Sequence, residues 1–172
     1  MSKSSKSSKS SKENQKNLEK KLGEVLGLER ANQKAVEEMI SMKLLKSDTK
    51  DKAKEIQDEA NSHEEKLQKV ISQLSEDSDI KLNQDTIKDI AKETEKKATK
   101  MMKTYLGDEP DTSEALEFLC LAEGGEVTHY EVLSSISKNF EIKELSSTVN
   151  SILKEEQDHL QSCLNLAKEN VS

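Results

Sequence analysis

Ile152-Leu153-Lys154-Glu155-Glu156-Gln157-Asp158-His159-Leu160-Gln161-Ser162-Cys163 is the stretch that decides how the chain folds. At about 100° per residue its apolar side chains fall on one helical stripe. Carried back to Val149 and on to Ala167, that stripe centres on Glu156. Val149, Ile152, Leu153, Leu160, Cys163 and Ala167 all lie within about 60° of it. His159 stands one turn beyond Glu156, on the same helix face. A carboxylate buried without a partner is expensive even after the protein relaxes around it. An acid in the middle of an apolar stripe therefore demands something to neutralise it.

Working outward, the same arrangement recurs. Leu22, Val25, Leu26, Val36 and Ile40 surround Glu29, and Leu116, Leu119, Cys120, Val127 and Tyr130 surround Glu123, each within about 60°. Arg30, the one arginine, points away from the Glu29 face, and the lysines sit mostly at solvent-facing positions. The chain has three histidines, and each follows a glutamate by three or four residues: Glu59 and His63, Glu126 and His129, Glu156 and His159. Each pair can offer an oxygen and a nitrogen to one metal ion. Di-iron helical bundles use one Glu from each of two helices and Glu-x-x-His from the other two. Here Glu29 and Glu123 are the expected single acids. Glu156 and His159 form one motif, and Glu59 and His63 form the other, stretched by one residue. Glu126, about 60° off the seam, is expected as a bridging or auxiliary acid. His129 lies about 120° from Glu123 and is expected to be structural or to support a ligand from outside the site. Gly124-Gly125, between the two acids, leaves room beside the metals or simply kinks the helix.

The apolar spacing predicts helices over about 18–46 and 49–74. A polar linker, 75–84, and a further helix over about 86–106 follow. Asp48 or Thr49 is the expected cap of the second helix. Gly107-Asp108-Glu109-Pro110-Asp111 is the clearest break, and Asp111-Thr112-Ser113-Glu114 reads as a capping box for a helix over about 113–138. A last helix covers about 142–170. Two helical hairpins joined by a long crossover with its own helix is the topology of a ferritin-like four-helix bundle, the fold class expected here. The spacing Leu22, Val25, Leu26, Glu29 repeats as Leu116, Leu119, Cys120, Glu123, as in a duplicated hairpin closing around a central site.

Composition agrees. In 172 residues, 35% are charged, 32% hydrophobic and 2% aromatic, which cannot fill a wide two-sheet core but can fill the narrow seams of a bundle. With 5 Gly and 1 Pro, turn-rich β folds are excluded. No apolar run reaches the length of a membrane span, and residues 1–17 lack the apolar stretch of a signal peptide. Cys120 and Cys163 form no disulfide framework and are expected as buried thiols in a reducing, cytoplasmic setting. Residues 1–17 repeat Ser-Ser-Lys and carry five Lys against one Glu. That is about +4, leaving about −11 for residues 18–172 out of the total of −7. This stretch is expected to be a disordered tail on a bundle domain formed by 18–172. A mobile lysine tail can touch nucleic acid or an anionic surface, but an acidic body argues against nucleic-acid binding as the main task.

Three segments resemble the YciE/YciF type of ferritin-like stress proteins. His63-Glu64-Glu65-Lys66-Leu67-Gln68-Lys69-Val70 resembles that family's His-Leu-Glu-Glu-Thr segment. His129-Tyr130-Glu131-Val132 resembles its His-Tyr-Glu-Ile. Leu153-Lys154-Glu155-Glu156 with Leu164-Asn165-Leu166-Ala167 resembles its endings on the last helix. Thr128 departs from the family, which has Glu before the His. The Glu156/His159 pair and the Glu123/Glu126 pair are more similar to rubrerythrins and bacterioferritins. The resemblance implies a ferritin-like bundle, di-iron binding, and dimers or larger homo-oligomers.

The expected function is that of a di-metal carboxylate protein holding two Fe per chain, with Mn as the other candidate. It would act on O2 or peroxide in ferroxidase- or peroxide-type chemistry during oxidative stress. No Cys-x-x-Cys pair is present, so a built-in rubredoxin-type electron donor is missing. The alternative is a metal-free helical stress or interaction protein, its acids protonated or paired, tethered to DNA or an anionic surface by its basic tail.

Overall fold

The structure is a computed structural model that describes residues 4–77 and 80–171, with side chains from residue 12 onward. It consists of α1 (Ser4–Ser41), α2 (Ser47–Glu76), α3 (Gln84–Leu106), α4 (Thr112–Lys138) and α5 (Lys143–Asn170), with no strand among the described residues. α1, α2, α5 and α4 each pack on the next around a ring, while α1 and α5, and α2 and α4, stay apart across it. α3 is the helix of the crossover. It lies along the outside of α1 and touches α2 and α4 only lightly. No described helix is long and apolar enough to cross a membrane.

Two glycines explain how α3 approaches α1 so closely. A Cβ on Gly27 would stand 2.4 Å from the Ala91 carbonyl oxygen, and one on Gly23 would stand 2.7 Å from Ile90 Cβ. No real Cβ tolerates such contacts, so these positions trade helix propensity for close packing.

The helix ends differ from expectation in instructive ways. α1 stops at Ser41, short of residue 46. Leu44 N–H donates to the Met39 carbonyl and Lys43 N–H to the Ile40 carbonyl, both at 3.0 Å, with Lys43 left-handed at φ 60°. That is a Schellman stop with Lys in the place usually held by Gly, fixed by burial of Leu44 and Leu45 in the core. α2 starts at Ser47, so the cap position is Lys46, which makes no side-chain cap bond. Asp48 and Thr49 lie inside the first turn rather than capping it. The capping box of α4 forms as read: Glu114 N–H donates to Asp111 Oδ1 at 2.9 Å, and Asp111 N–H donates to Glu114 Oε2 at 3.0 Å.

The stretch expected as a disordered tail is helical from Ser4, and residues 1–3 lie outside the described residues. Lysine is a good helix former, and extending an existing helix costs little once its nucleus is packed. The expected boundary shows in packing instead. Lys12, Glu13, Asn14, Lys16 and Asn17 are exposed, and Leu18 is fully buried.

The core has two apolar layers. One contains Leu22, Val25, Leu67, Val70, Leu133 and Val149, and the other Val36, Met39, Ile56, Leu116, Leu119 and Cys163. Residues between these layers in sequence, on all four helices of the ring, form a polar layer in the middle of the bundle.

Candidate metal centre

Each helix of the ring contributes to that layer. α1 supplies Glu29 and Asn32, α2 His63, α4 Glu123 and Glu126, and α5 Glu156 and His159. All seven are buried, with Glu29, His63 and Glu123 at 0% exposure. They are inward because each sits where the apolar stripe of its helix crosses the bundle axis, one or two turns from the flanking Leu and Val side chains.

The contacts fall into two linked sets. His63 Nδ1 stands 2.7 Å from Glu156 Oε1 and 3.3 Å from Glu29 Oε1. His159 Nδ1 stands 3.5 Å from Glu123 Oε2 and 3.6 Å from Glu156 Oε2. Ligand atoms of Glu29, His63 and Glu156 all lie within 4.8 Å of one another, as do those of Glu123, Glu156 and His159. Glu156 belongs to both sets. The imidazoles face each other with ring centroids 5.9 Å apart and planes 24° apart.

The outward nitrogens are held in a reciprocal pattern. His63 Nε2, on α2, is 2.7 Å from Glu155 Oε2 on α5. His159 Nε2, on α5, pairs with Glu59 on α2. A carboxylate accepting Nε2–H fixes the tautomer that leaves the Nδ1 lone pair facing the acid layer. Asn32 Nδ2 donates to Glu123 Oε1 at 2.7 Å and to Glu126 Oε2 at 2.9 Å, and the Tyr130 hydroxyl donates to Glu29. Five buried polar atoms still have no hydrogen-bond partner among the described residues: Glu29 Oε2, Asn32 Oδ1, Glu123 Oε2, Glu126 Oε1 and Glu156 Oε2. Buried polar atoms are nearly always satisfied, so such a convergence needs a chemical reason.

Electrostatics follow from this crowding. Burial pushes Glu29 up to about 7, with the neighbouring Glu156 adding to the rise against His63 and Tyr130. Burial also raises Glu123, and raises Glu126 well above the usual range with help from three neighbouring carboxylates. Burial opposes the charge on Glu156 too, but both imidazoles outweigh it and hold this acid at about 2. Burial likewise disfavours the imidazolium forms, yet the surrounding glutamates raise His63 to about 10 and His159 to about 11. With no cation present, the layer is thus neutralised by protons on the imidazoles and on some of the acids.

Six of the seven residues expected at the site, Glu29, His63, Glu123, Glu126, Glu156 and His159, come together. Glu59 does not. Its side chain is 53% exposed and braces His159 from outside. The inner position three residues before His63 is filled by Ala60, 2% exposed, so the second Glu-x-x-His motif is not completed on α2. Glu126, one turn after Glu123, adds the fourth buried acid instead. His129 lies apart, 3.3 Å from Lys21 Nζ and 3.4 Å from Glu24 Oε2. Arg30 pairs with Glu64 at 2.7 Å, away from the acids. Of the two thiols expected to be buried, Cys163 is and Cys120 is only half-buried, because it sits at the edge of the α4 stripe; both are free. Asn32, Tyr130 and Glu155 are the contributors not read as site residues from the sequence. Asn32 follows Glu29 by three and so shares its face.

Comparison with protein-family models, curated proteins and solved structures gives no match to the chain.

Proposed function

We propose that this protein is a ferritin-like di-metal carboxylate protein, with iron as the favoured metal and manganese as the other candidate. One observation carries the reading. Four buried carboxylates, each with one oxygen that has no hydrogen-bond partner, converge with two buried imidazoles from the four helices, and both imidazoles have their far nitrogens fixed by carboxylates. The donor set, four carboxylates and two imidazoles, is hard and anionic and suits Fe and Mn better than soft ions. It supplies a charge that a pair of dications would offset, replacing the protons the layer otherwise retains.

Glu29 and His63 would hold one ion, and Glu123 and His159 the other, with Glu156 shared between them. Glu126 is the reserve carboxylate, held to Glu123 through Asn32. Glu155 and Glu59 orient the imidazoles. Tyr130 restrains Glu29 and keeps one of its oxygens engaged. Bound iron would supply the reduction of O2 or peroxide. The bundle around it excludes bulk water, since both flanking layers are apolar. The ring of four helices with a helical crossover supports a ferritin-like reading, as do the short resemblances to YciE/YciF-type proteins.

The reaction is tested by following O2 and peroxide consumption after anaerobic Fe(II) loading. Consumption faster than by the same free Fe(II), and lost in Glu156→Ala, supports the reading. Tight iron binding with no gain over free iron would restrict the protein to metal binding.

A further inference from the structure

A cleft of about 880 Å3 lies between α1, α3 and α4, within the range of small-molecule sites. It is elongated. α3 runs beside α1 in the same direction, with Ile90 at Gly23 and Glu95 at Lys34, and α4 runs the opposite way, with Tyr130 at Glu29. Tyr105 and Phe118 therefore stand at one end, their rings 5.7 Å apart, and Lys97 and His129 at the other. Along α4 the lining from Phe118 to His129 covers about 16 Å, the rise of eleven residues. Small side chains keep the middle open: Ala98 and Ala122 line it, and a Cβ on Gly125 would meet nothing within 4 Å.

The cleft is apolar along its length and basic at one end. Met101, Tyr105 and Leu121 line it and are 69%, 40% and 57% exposed. A contiguous apolar surface left open in this way marks a contact site. Glu126 is the one acid of the lining, and it is buried and turned into the acid layer, where Asn32 holds it. The charges a ligand can reach are thus Lys97 and Lys100. Lys97 has the exposed Glu93 as its partner, and pairs of that kind are weak. The Lys100 ammonium has no ion pair or hydrogen bond among the described residues. Lys96, Lys97, Lys100 and Lys103 lie between Glu95 and Asp108 with no acid among them, in a chain whose net charge is −7. His129 adds a neutral donor. Lys21 Nζ, 3.3 Å from its Nδ1, can only donate, so Nδ1 accepts and the ring proton sits on Nε2, which has no partner among the described residues. Glu24, the acid at this end, is held by Lys21.

We infer that this cleft binds a free fatty acid as its anion, the alkyl chain laid along the apolar floor towards Phe118 and the carboxylate set between Lys97, Lys100 and the His129 Nε2–H. Removing the chain from water drives binding, and the two ammonium groups select the head. A neutral alcohol of the same chain keeps the first contribution and loses the second. An alkylammonium meets two like charges. The inference concerns the crossover face of the bundle and does not rest on metal binding.

The test is calorimetric titration of the metal-free full chain at neutral pH with decanoate, decanol and decyltrimethylammonium, each below the concentration at which it self-associates. Decanoate should bind one per chain, decanol about tenfold more weakly, and the ammonium not measurably. Added salt should weaken decanoate and leave decanol unchanged. In the double variant Lys97→Gln/Lys100→Gln, decanoate should bind no better than decanol. Gly125→Leu, which fills the middle of the cleft, should abolish binding of both, with the helical circular dichroism unchanged. Decanol or the ammonium binding as tightly as decanoate overturns the assignment of the head group, and no binding of decanoate overturns the site. Association with phosphatidylglycerol vesicles without uptake of free decanoate overturns it in favour of a lipid surface. A dimer that Leu121→Asp dissociates and that takes up no decanoate overturns it in favour of a second copy of the chain. Iron stoichiometry measured on the same variants reads the metal centre separately.

Discussion

Glu59 and Glu155 occupy equivalent places on facing helices, each accepting from the outer nitrogen of the other helix's histidine. Both are more than a third exposed at their side chains, so their loss should leave the fold intact. Replacing either with Ala is expected to weaken metal affinity by about 10–100-fold, the usual cost of removing a ligand's supporting carboxylate, with the thermal midpoint of the metal-free protein little changed. Competition titration against a chelator measures it. Loading should also release protons. His63 and His159, held at about 10 and 11, are both protonated at pH 7 and must give up their Nδ1 protons to bind a cation. Calorimetry in two buffers of different ionisation enthalpy should show net release of more than one proton per chain, and affinity rising with pH. At this scale most of the site was legible. The positions of Glu29, Glu123, Glu156 and His159 follow from centring on apolar stripes. Glu59 misled because a four-residue spacing overshoots one turn by about 40°, enough to carry a side chain to the surface while Ala60 takes the inner place. Glu155 adjoins the seam acid and reads as solvent-facing until the neighbouring helix is in place.

Among the elements, the glycines of α1 and α4 look alike in sequence and differ in space. Gly27→Ala should destabilise the protein by about 1–3 kcal/mol, since the Ala91 carbonyl oxygen 2.4 Å from the new Cβ belongs to backbone and cannot step aside. Gly125→Ala meets nothing and should stabilise it by up to about 1 kcal/mol through helix propensity alone. Urea denaturation of both variants separates the two cases. Lys43→Gly should also stabilise, by about 1 kcal/mol, because Lys43 holds a left-handed conformation that costs nothing for Gly. The helices themselves were readable from apolar spacing and from the Asp111–Glu114 capping box. The end of α1 was not, because a Schellman stop built on lysine carries no local signal, only the later burial of Leu44 and Leu45. Nor was the course of residues 4–17, whose polar sequence has no apolar period to read.

Across the whole molecule, the polar layer sets how stability follows pH. Glu29 is raised from its ordinary 4.5 to about 7, so its contribution is fully present below about 4.5 and is lost as pH rises through 7, with Glu123 and Glu126 shifted in the same sense. Glu156 acts oppositely, contributing above 4.5 and losing that contribution as pH falls towards 2. A bound cation favours the deprotonated acids. The gap in thermal midpoint between iron-loaded and metal-free protein should therefore widen from pH 5.5 to pH 7.5, as differential scanning calorimetry would show. The central claim is that the layer between the two apolar cores is a site for two metal ions. The most direct measurement is iron bound per folded chain after anaerobic Fe(II) loading and desalting, for the native protein and for Glu156→Ala. Two iron ions per native chain, falling to one or none when the shared acid is removed, is the predicted result. No stoichiometric iron or manganese in the native chain would contradict it, and would leave a helical protein whose buried acids are balanced by protons alone.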